Sequence, residues 1–586
     1  MSKYFIIFFW LISSSLIQPA NFYVDKAATG SNNGTSWQNA WISFSNINWN
    51  LIQPGDVIYI SGGSSAKTYF EQMNISAAGT FGNNILIAKG IDSGHNGEVI
   101  VDGQNIRQHG VNLSADDDYV TVRGLSIKNT QSSAIDMEGG WEGNSGNYVH
   151  TNPITGSRIE NCKMYLSNGI GVLVKGTTKC TFYRNFIETV ISTSAQTDGY
   201  FSQASSFNVW DGDSIIIRNQ NISQHCDGIQ INQDTSDIVR NCYIEQDNSK
   251  RENAQGIYTT ESFGTMIYYN NVVNLTKSTS NAIVHRNLSI GNGNVEIYGN
   301  VVFAELGADH AIWCTDQNTP PKIKNNILRS LSGLFGTIYI TGSNTSQVSH
   351  NAITGGLGVG SDVITGNPMF ADELGGIFTL LPGSPAIDAG TILNAPFDVD
   401  KNGTQRPAGG SWDVGAYEMI FSGPGNYIVV GAGWNYVSIP KLSENMTVDF
   451  IFPTRTSNVY EYTEIGYQIV NQLQNGKGYA IRFNHSQYIL VDGESVYWPI
   501  QVFEGWNLIG PFDENVPISE ITTVPPGIII SNFFEYSGNQ FVVSNLLRIG
   551  KGYWVKVSSE GILNLNSNTF FKDVGNINHD LEDGVN

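Results

Sequence analysis

Short apolar stretches alternate with polar positions along most of this chain, and one phrase recurs among them. The phrase is an Asn followed within three positions by an aliphatic residue, and its seven copies contain Asn185, Asn219, Asn241, Asn271, Asn300, Asn326 and Asn351. From Asn271 onward the Asn returns after 29, 26 and 25 residues, whereas 34 residues separate the first two copies. A period mostly in the twenties, rich in β-branched residues and without amphipathic helices, predicts a solenoid of short strands.

A second set of strands is interleaved with the Asn-bearing set. Its members are residues 134–138, 169–172, 198–202, 227–232, 255–260, 281–286, 310–315 and 337–341. We expect equivalent strands to pair in parallel about 4.8 Å apart, with alternate side chains pointing inward and outward. An Asn in every coil can stack into a hydrogen-bonded ladder at the turn. Cys162 and Cys242 each follow an Asn, so they fill the same slot and should be small buried residues.

The repeat resembles the right-handed parallel β-helix of pectin-lyase-like proteins, over roughly Phe22 to Glu418. Residues 22–25 are similar to the opening of secreted bacterial β-helix proteins, and residues 384–390 and 413–418 to their closing coil. The resemblance implies an all-β fold class, a right-handed parallel β-helix followed by a small tandem-repeat β domain.

The pattern changes after Glu418. Gly433-Trp434-Asn435 recurs as Gly505-Trp506-Asn507, and Gly476-Lys477-Gly478-Tyr479 recurs as Gly550-Lys551-Gly552-Tyr553. Two alternating copies of roughly 70 residues predict a tandem β module. Its Trp and Tyr residues are typical of the core of a small β domain, with sugar binding as the alternative. The predicted organisation is a signal peptide over 1–20, the β-helix over 21–420, the tandem module over 421–570 and a polar tail over 571–586.

Composition narrows the environment and the partners. The formal net charge of −21 disfavours nucleic acid and anionic membranes as partners. Lys3, an apolar run over 4–12 and Pro19-Ala20 predict a signal peptide, and the run is too short to span a bilayer. The five cysteines lack metal-site spacing. We therefore expect a secreted or cell-surface monomer without a membrane span, and no certain cofactor.

The outward positions of the second strand set predict a polysaccharide-binding face. The first outward column is predicted to hold Asp136, Gly171, Phe201, Gln230, Tyr258, Val284, Trp313 and Tyr339, and the second to hold Glu138, Leu173, Gln203, Asn232, Thr260, Arg286, Thr315 and Thr341. Aromatic faces stack on sugar rings, and four in one column favour a binding role over an incidental one. The predicted substrate-binding residues are Gln196, Phe201, Gln230, Asn232, Gln255, Tyr258, Arg286, Trp313 and Tyr339.

One acidic pair is the first candidate for catalysis. Asp198 and Asp227 begin adjacent coils at the same position, and His225 lies beside the second. Two carboxylates about 5 Å apart would push their pKa values apart, leaving one as acid and the other as base. The alternative is a pair of solvated turn residues, because Asp-Gly is a common turn dipeptide.

Thr197-Asp198 and Cys226-Asp227 resemble part of the paired acidic motifs of the polygalacturonase family, with Gln196 where that family has Asn. The resemblance implies glycoside hydrolysis by these acids. The Gly-His-Gly and Arg-Ile-Lys motifs of that family have no clear counterpart here. Inverting hydrolysis also needs carboxyl groups about 6.5–9.5 Å apart, wider than adjacent stacking supplies.

A lyase reaction is the enzymatic alternative. Lys250 is the candidate base, and Asp211, Asp213 and Glu245 are candidate ligands of Ca²⁺, a cation that prefers oxygen donors. A charged loop is the competing interpretation of Lys250. The sequence thus predicts cleavage of a polysaccharide, by hydrolysis or elimination. The rival hypothesis is a non-catalytic surface protein that binds glycan.

Overall fold

The computed structural model describes residues 18–565 except 145–146, 168, 192–196, 220–225, 247–253, 276–280, 305–309, 316–318, 331–336, 342–343, 356–357, 374, 382–383, 409, 420–426, 432, 485–486 and 538–539. Strands make up 48% of the chain and helices 3%. The residues form two compact units, the first containing residues up to 368 together with 384–418, and the second containing 369–383 and residues from 419 onward.

Three long parallel sheets, here called A, B and C, build the first unit. Sheet A contains, in spatial order, Asn21–Val24, Val57–Ile60, Ile85–Lys89, Val120–Arg123, Arg158–Glu160, Thr181–Tyr183, Val209–Asp211, Ile238–Arg240, Thr265–Tyr269, Asn294–Tyr298, Lys322–Lys324 and Val348–Ser349. Sheet B contains Ala66–Tyr69, Glu98–Asp102, Leu125–Lys128, Lys163–Leu166, Phe186–Ile191, Ser214–Asn219, Tyr243–Gln246, Val272–Leu275, Val301–Ala304, Ile327–Ser330, Ala352–Thr354 and Ile364–Thr365. Sheet C contains Met73–Asn74, His109–Ser114, Ser133–Glu138, Ile170–Lys175, Tyr200–Gln203, Ile229–Asn232, Ile257–Thr260, Ile283–Arg286, Ile312–Thr315 and Ile338–Ile340.

Spatial order follows chain order in every sheet, so each coil adds one strand to each wall. The predicted fold class, a right-handed parallel β-helix followed by smaller β sheets, is confirmed. Inside, like residues stack on like. One inward column of sheet C consists of residues no more than 3% exposed: Ile135, Val172, Tyr200, Ile229, Ile257, Ile283, Ile312 and Ile338. Each of these side chains packs against its equivalents in the neighbouring coils and is thereby removed from water. This burial of apolar surface is the main stabilisation available to a solenoid.

A few short elements lie outside the three walls of the first unit. They are the antiparallel hairpin Gly140–Asn144 with Asn147–Asn152, the parallel pair Ile154–Thr155 with Thr177–Thr178, and the 3₁₀ turns Phe44–Asn46 and Trp49–Leu51. The hairpin begins two residues after Glu138, at the end of a sheet C strand.

The turn between sheets A and B explains the recurring Asn. A residue with positive φ leads each of these turns; the residues are Gly124, Asn161, Arg184, Gly212, Asn241, Asn270, Gly299, Asn325 and His350. The next residue is buried, and in most coils its side chain accepts the N–H of the equivalent residue one coil before. The donor–acceptor pairs are Cys162–Asn185, Asn185–Asp213, Cys242–Asn271, Asn271–Asn300, Asn300–Asn326 and Asn326–Asn351, at 2.6–3.0 Å. The ladder is therefore present, and both cysteines occupy its slots.

Two members of the predicted Asn column were wrong. Asn241 is the positive-φ residue before the slot, which Cys242 fills. Asn219 ends the sheet B strand Ser214–Asn219, and Asp213 takes the ladder position of that coil. The ladder slots consequently lie at 185, 213, 242, 271, 300, 326 and 351, which removes the irregular 34-residue interval. A carboxylate oxygen accepts an N–H as an amide oxygen does, so an Asn-only search misses the coil.

Residues 384–418 do not form a closing coil as their resemblance implied, because the described residues there contribute no strand to sheets A, B or C. This segment packs along the turns between sheets A and B. Asn325 exchanges two hydrogen bonds with Thr391, at 2.7 and 2.9 Å, and Asn270 donates to the Val399 carbonyl at 2.6 Å. A buried ion pair between Arg406 and Glu418, at 2.8 Å, holds the end of the segment. The positive-φ turn residues thus also anchor this strap.

The second unit contains two similar sheets of four strands. The first is Gly433–Ser438, Gly478–Phe483, Val459–Thr463 and Gly466–Val470, and the second is Gly505–Ile509, Tyr553–Val557, Phe533–Ser537 and Gln540–Ser544. The other elements are the helix Val448–Ile451, the 3₁₀ turn Ile518–Glu520, and the strands Phe370–Asp372, Ile377–Leu380, Tyr427–Val430, Gln487–Leu490, Ile500–Val502, Gly561–Asn564, Thr522–Val524, Val516–Pro517 and Leu546–Leu547. Each four-stranded sheet contributes to its own apolar core.

All five cysteines are buried. Among the described residues, no helix is both long and apolar enough to cross a bilayer. The predicted signal peptide lies mostly outside the described residues, and the polar tail over 571–586 lies wholly outside them.

Buried carboxyl groups make the stability of the solenoid depend on pH. Asp213 is fully buried, and desolvation raises its pKa to about 7, although it accepts hydrogen bonds from Asn185 and Tyr200. Asp234 and Asp237 are buried side by side; burial raises the pKa of Asp234 to about 6, and burial together with the charge of Asp234 raises the pKa of Asp237. A raised pKa means that the folded state holds its proton more tightly than the unfolded chain.

We therefore predict that the free energy of unfolding falls as pH rises from about 4 to 8, since the stabilisation is complete below the ordinary carboxyl pKa and is lost as pH passes the folded pKa. Asp213→Asn keeps the ladder acceptor and removes the ionisable group. It should reduce the pH-dependent loss by an amount on the order of a few kcal/mol, measured by urea denaturation at pH 5 and pH 8. Asn300→Asp is the matched control, because it puts a carboxyl group into another slot of the same ladder and should increase the loss. Equal pH dependence in all three proteins would contradict this account.

Candidate functional site

The predicted acidic pair, Asp198 and Asp227, does lie on adjacent coils, but both side chains are fully buried and accept backbone N–H groups. The Asp227 N–H donates to Asp198 Oδ1 at 2.7 Å, and the Gln255 N–H donates to Asp227 Oδ1 at 2.7 Å. These residues form a second ladder at the start of sheet C, like the one between sheets A and B. A general acid must reach the atom that it protonates, so this geometry does not favour the predicted catalytic role.

The same ladder includes Gln255, which is 6% exposed and donates its N–H to Asp227. His225, Gln196 and Lys250, the other predicted residues of this region, lie outside the described residues. Their predicted roles stay predictions.

The candidate calcium ligands do not converge. Asp211 forms an ion pair with Arg240 at 2.9 Å, on the outer face of sheet A. Asp213 points into the interior, where it accepts the Tyr200 hydroxyl at 2.9 Å, and Glu245 accepts the Tyr243 hydroxyl at 2.8 Å on sheet B. Within the described part of the chain, no three His, Cys, Asp or Glu side chains form a group that could hold a metal ion. These three residues therefore do not fit a shared calcium site, and no catalytic step is built on one.

The outer face of sheet C carries the predicted aromatic column. Strand pairing aligns, in order, Asn112, Asp136, Leu173, Phe201, Gln230, Tyr258, Val284, Trp313 and Tyr339. The second column is Ser114, Glu138, Lys175, Gln203, Asn232, Thr260, Arg286 and Thr315. The sequence-based columns were thus two residues out of register in one coil, where Leu173 and Lys175 take the slots expected for Gly171 and Leu173.

One end of this face forms an aromatic and cationic cluster. The Arg286 guanidinium carbon lies 5.1 Å from the centre of the Trp313 ring, and the Tyr339 ring packs edge to face on Trp313 at 6.4 Å. Burial raises the pKa of the Tyr258 hydroxyl, against the opposing charge of the nearby Arg286. Among the described residues, the buried N–H groups of Arg286 Nε and Trp313 Nε1 have no hydrogen-bond partner. Unsatisfied donors of this kind are costly, and the oxygen atoms of a ligand could satisfy them.

The other end of the same face holds an acidic cluster that sequence reasoning did not select. Asp136 is 6% exposed, and its Oδ2 lies 3.5 Å from Nε2 of His109. His109 Nδ1 is 2.7 Å from the hydroxyl of Ser133. Among the described residues, the buried Asp136 Oδ1 has no hydrogen-bond partner. The exposed Glu138 follows two residues later on the same strand and the same face.

Burial and charge distinguish the two acids of this cluster. Desolvation, reinforced by the charge of Glu138, raises the pKa of Asp136 to about 7, and Lys175 opposes the rise. Desolvation lowers the pKa of His109, which favours neutral imidazole. A carboxyl group that keeps its proton near neutral pH beside an exposed carboxylate is a typical acid and base arrangement. The sequence did contain a signal for it, since Asp136 and Glu138 head the two predicted outward columns.

No protein-family model matches the chain, and no curated protein matches it. Solved structures with a similar fold include the complex of XylC with xylose, at 9% identity and a TM-score of 0.40, covering 68% of this chain and 98% of that one. The pectate lyase Pel9A is 15% identical at a TM-score of 0.40, covering 68% and 96%. A rhamnogalacturonan lyase is 15% identical at a TM-score of 0.37, covering 57% and 87%. These are similarities of fold and do not assign an activity to this chain.

Proposed function

We propose that this protein binds a polysaccharide along the outer face of sheet C and hydrolyses it between Asp136 and Glu138. The observation that supports the proposal most directly is the position of Asp136 on the outer face of sheet C, two residues from the exposed Glu138 and 3.5 Å from His109, where burial raises the pKa of Asp136 to about 7. An extended face of stacked strands suits a linear polymer. Near its other end, Arg286 Nε and Trp313 Nε1 have no hydrogen-bond partner in the described part of the chain, and the hydroxyl groups of sugars could accept from them.

The spacing of the two acids favours inversion. Residues i and i+2 of a strand lie roughly 6.5–7 Å apart on the same face. Inverting glycosidases hold their carboxyl groups about 6.5–9.5 Å apart, which leaves room for a water molecule. The buried pair of Asp198 and Asp227, one strand spacing apart, offers only about 5 Å.

The proposed reaction balances with these two groups and one water. Asp136 transfers its proton to the glycosidic oxygen as the bond from that oxygen to the anomeric carbon breaks. Glu138 takes a proton from the water whose oxygen forms the new bond to the anomeric carbon. The acid ends ionised and the base ends protonated, and proton exchange with solvent restores both. His109, 3.5 Å from Asp136, acts as a positioning residue for the acid.

The first prediction from this proposed function concerns the pH dependence of hydrolysis. Because protonated Asp136 is the active form, kcat/KM should fall tenfold per pH unit above about pH 7. Asp136→Asn should lower kcat at least about a hundredfold, and Glu138→Gln should do the same. The assay is the release of reducing ends from a panel of neutral and acidic polysaccharides.

Asp198→Asn is the matched control for these variants, because it keeps the ladder acceptor and should retain activity. Loss of cleavage in Asp198→Asn, with Asp136→Asn active, would return the active site to the buried pair. An unsaturated, ultraviolet-absorbing product would identify a lyase and overturn hydrolysis. Glycan retention without cleavage by the wild-type protein would support the non-catalytic glycan-binding alternative.

The second prediction concerns substrate length. Trp313 is six strand steps from Asp136, which is roughly 29 Å at 4.8 Å per step. Trp313→Ala should therefore raise KM for a long polymer about tenfold with little change in kcat, because it removes binding that is equal in ground and transition states. It should leave the hydrolysis of short oligosaccharides unchanged. Tyr165→Ala is the matched control, since Tyr165 is an exposed aromatic residue on sheet B. Equal effects of both variants would contradict a binding face on sheet C.

A further inference from the structure

The second unit carries exposed aromatic side chains that the proposed hydrolysis does not use. They line two clefts on the four-stranded sheets. Cleft one, of about 390 Å³, is lined by Trp434, Tyr436, Tyr460, Tyr467, Ala480 and Tyr536. Cleft two, of about 370 Å³, is lined by Tyr462, Trp506, Phe534, Phe541 and Trp554.

The repeated motifs explain why the tryptophans face outward. Gly433 and Gly505 have φ values of 94° and 101°, which a side chain would strain. Asn435 fixes the first turn, because it accepts the Gly431 N–H at 2.8 Å and donates to the Gly433 carbonyl at 3.0 Å. Asn507 makes the same two contacts, at 3.0 and 3.1 Å, in the second repeat. Glycine and asparagine therefore build the turn, whereas the tryptophan between them has no part in it.

The Tyr of the other motif is structural. Tyr479 and Tyr553 are fully buried, and their hydroxyl groups accept the N–H of Gln474 at 2.7 Å and of Arg548 at 2.8 Å. Trp434 and Trp506, by contrast, are 46% and 38% exposed. The expectation that the aromatic residues of this module fill its core therefore holds for these tyrosines and fails for the tryptophans.

The two clefts are equivalent positions of the two repeats. Trp434 pairs across its sheet with Arg482, and Trp506 pairs with Lys556. Tyr460 pairs with Ala480 as Phe534 pairs with Trp554. In the hairpins, Tyr467 is aligned with Tyr462 as Phe541 is with Tyr536. Four lining positions are thus shared by both clefts.

Each cleft is completed by a tyrosine from the opposite repeat. Tyr536 of the second repeat packs 5.2 Å from Tyr436 in cleft one, and Tyr462 of the first repeat packs 4.7 Å from Trp554 in cleft two. Tyr462 and Tyr536 are themselves equivalent residues. The aromatic surface therefore requires both repeats, which gives the duplication a physical reason.

The clefts differ in the groups that a ligand would meet. Cleft one has a small residue, Ala480, where cleft two has Trp554. Cleft one also presents four tyrosine hydroxyl groups, two of which, on Tyr436 and Tyr467, are 3.1 Å apart. Cleft two presents one hydroxyl group, on Tyr462. Neither lining includes a charged side chain. Aromatic faces with several hydroxyl groups and no charge match a neutral sugar, which has both C–H faces and hydroxyl groups.

We propose that cleft one is a binding site for a neutral sugar ring of a polysaccharide, separate from the face of sheet C, and that cleft two holds the repeats together. Trp434 supplies the stacking surface, and Tyr467 supplies a hydroxyl group that bonds to the sugar. Such a site would keep the protein on its polymer whether or not sheet C cleaves it.

The test uses the full chain carrying Asp136→Asn and Trp313→Ala, which remove the proposed chemistry of sheet C and weaken its binding of long polymers. The probes are cellohexaose, xylohexaose, mannohexaose and tetragalacturonate, titrated by calorimetry. At least one neutral probe should bind at a site that depends on Trp434, and tetragalacturonate should not bind there. Trp434→Ala should weaken binding at least tenfold and Tyr467→Phe several-fold. Trp506→Ala, the matched substitution in cleft two, should leave the Kd within twofold while lowering the Tm.

Three results would overturn the proposal. One is the absence of binding by all three neutral probes. Another is equal loss of affinity in Trp434→Ala and Trp506→Ala with an unchanged Tm for both. The last is a concentration-dependent dimer in sedimentation that Trp434→Ala dissociates, which would make the cleft an interface between copies of the chain. Because these variants lie in the second unit, their outcome is independent of whether Asp136 catalyses hydrolysis.

Discussion

The structure depends on one repeated hydrogen bond, in which a buried side-chain oxygen accepts the backbone N–H of the equivalent residue in the neighbouring coil. At a turn of a solenoid, the strand ladder stops while the backbone stays buried, so its N–H groups need other partners. Asn185, Asn271 and Asn300 supply them between sheets A and B, and Asp198 and Asp227 supply them at the start of sheet C. These contacts fix the vertical register of the coils, and with it every column of outward side chains.

The ladder also shows why buried acids are poor evidence for an active site in this fold. A carboxylate and an amide are interchangeable as acceptors, so a conspicuous acid on successive coils can be a turn residue. Asp213 takes the slot that Asn271 fills two coils later. What separates Asp136 from such residues is its position on the strand, since it lies on the outer face of sheet C beside the exposed Glu138 and, among the described residues, accepts no backbone N–H of a ladder. Asp136 is itself 6% exposed, and this burial raises its pKa to about 7.

The fold could be predicted from sequence because its signal is repeated many times, whereas the site could not because its signals occur once. The repeat identified the solenoid and the aromatic column containing Tyr258, Trp313 and Tyr339. The register of the coil at Leu173 was missed by two residues, since Gly171 and Leu173 are both compatible with an outward slot. The contact between His109 and Asp136 joins strands 24 residues apart along the chain, and only the register of Ser133 with His109 reveals it.

Duplication constrains the second unit as stacking constrains the first. Each copy supplies a tyrosine to the cleft of the other, yet only the residues that build turns and cores are needed for folding. Tyr479, Tyr553, Asn435 and Asn507 meet that need with buried hydrogen bonds. Trp434 is 46% exposed and takes no part in these hydrogen bonds. A polar residue at its position would leave all of them in place. A large apolar ring exposed beside tyrosine hydroxyl groups is better explained by ligand binding than by a contribution to folding stability. The outward face of this repeat, and not its core, is therefore the part of the second unit to which we assign a binding function.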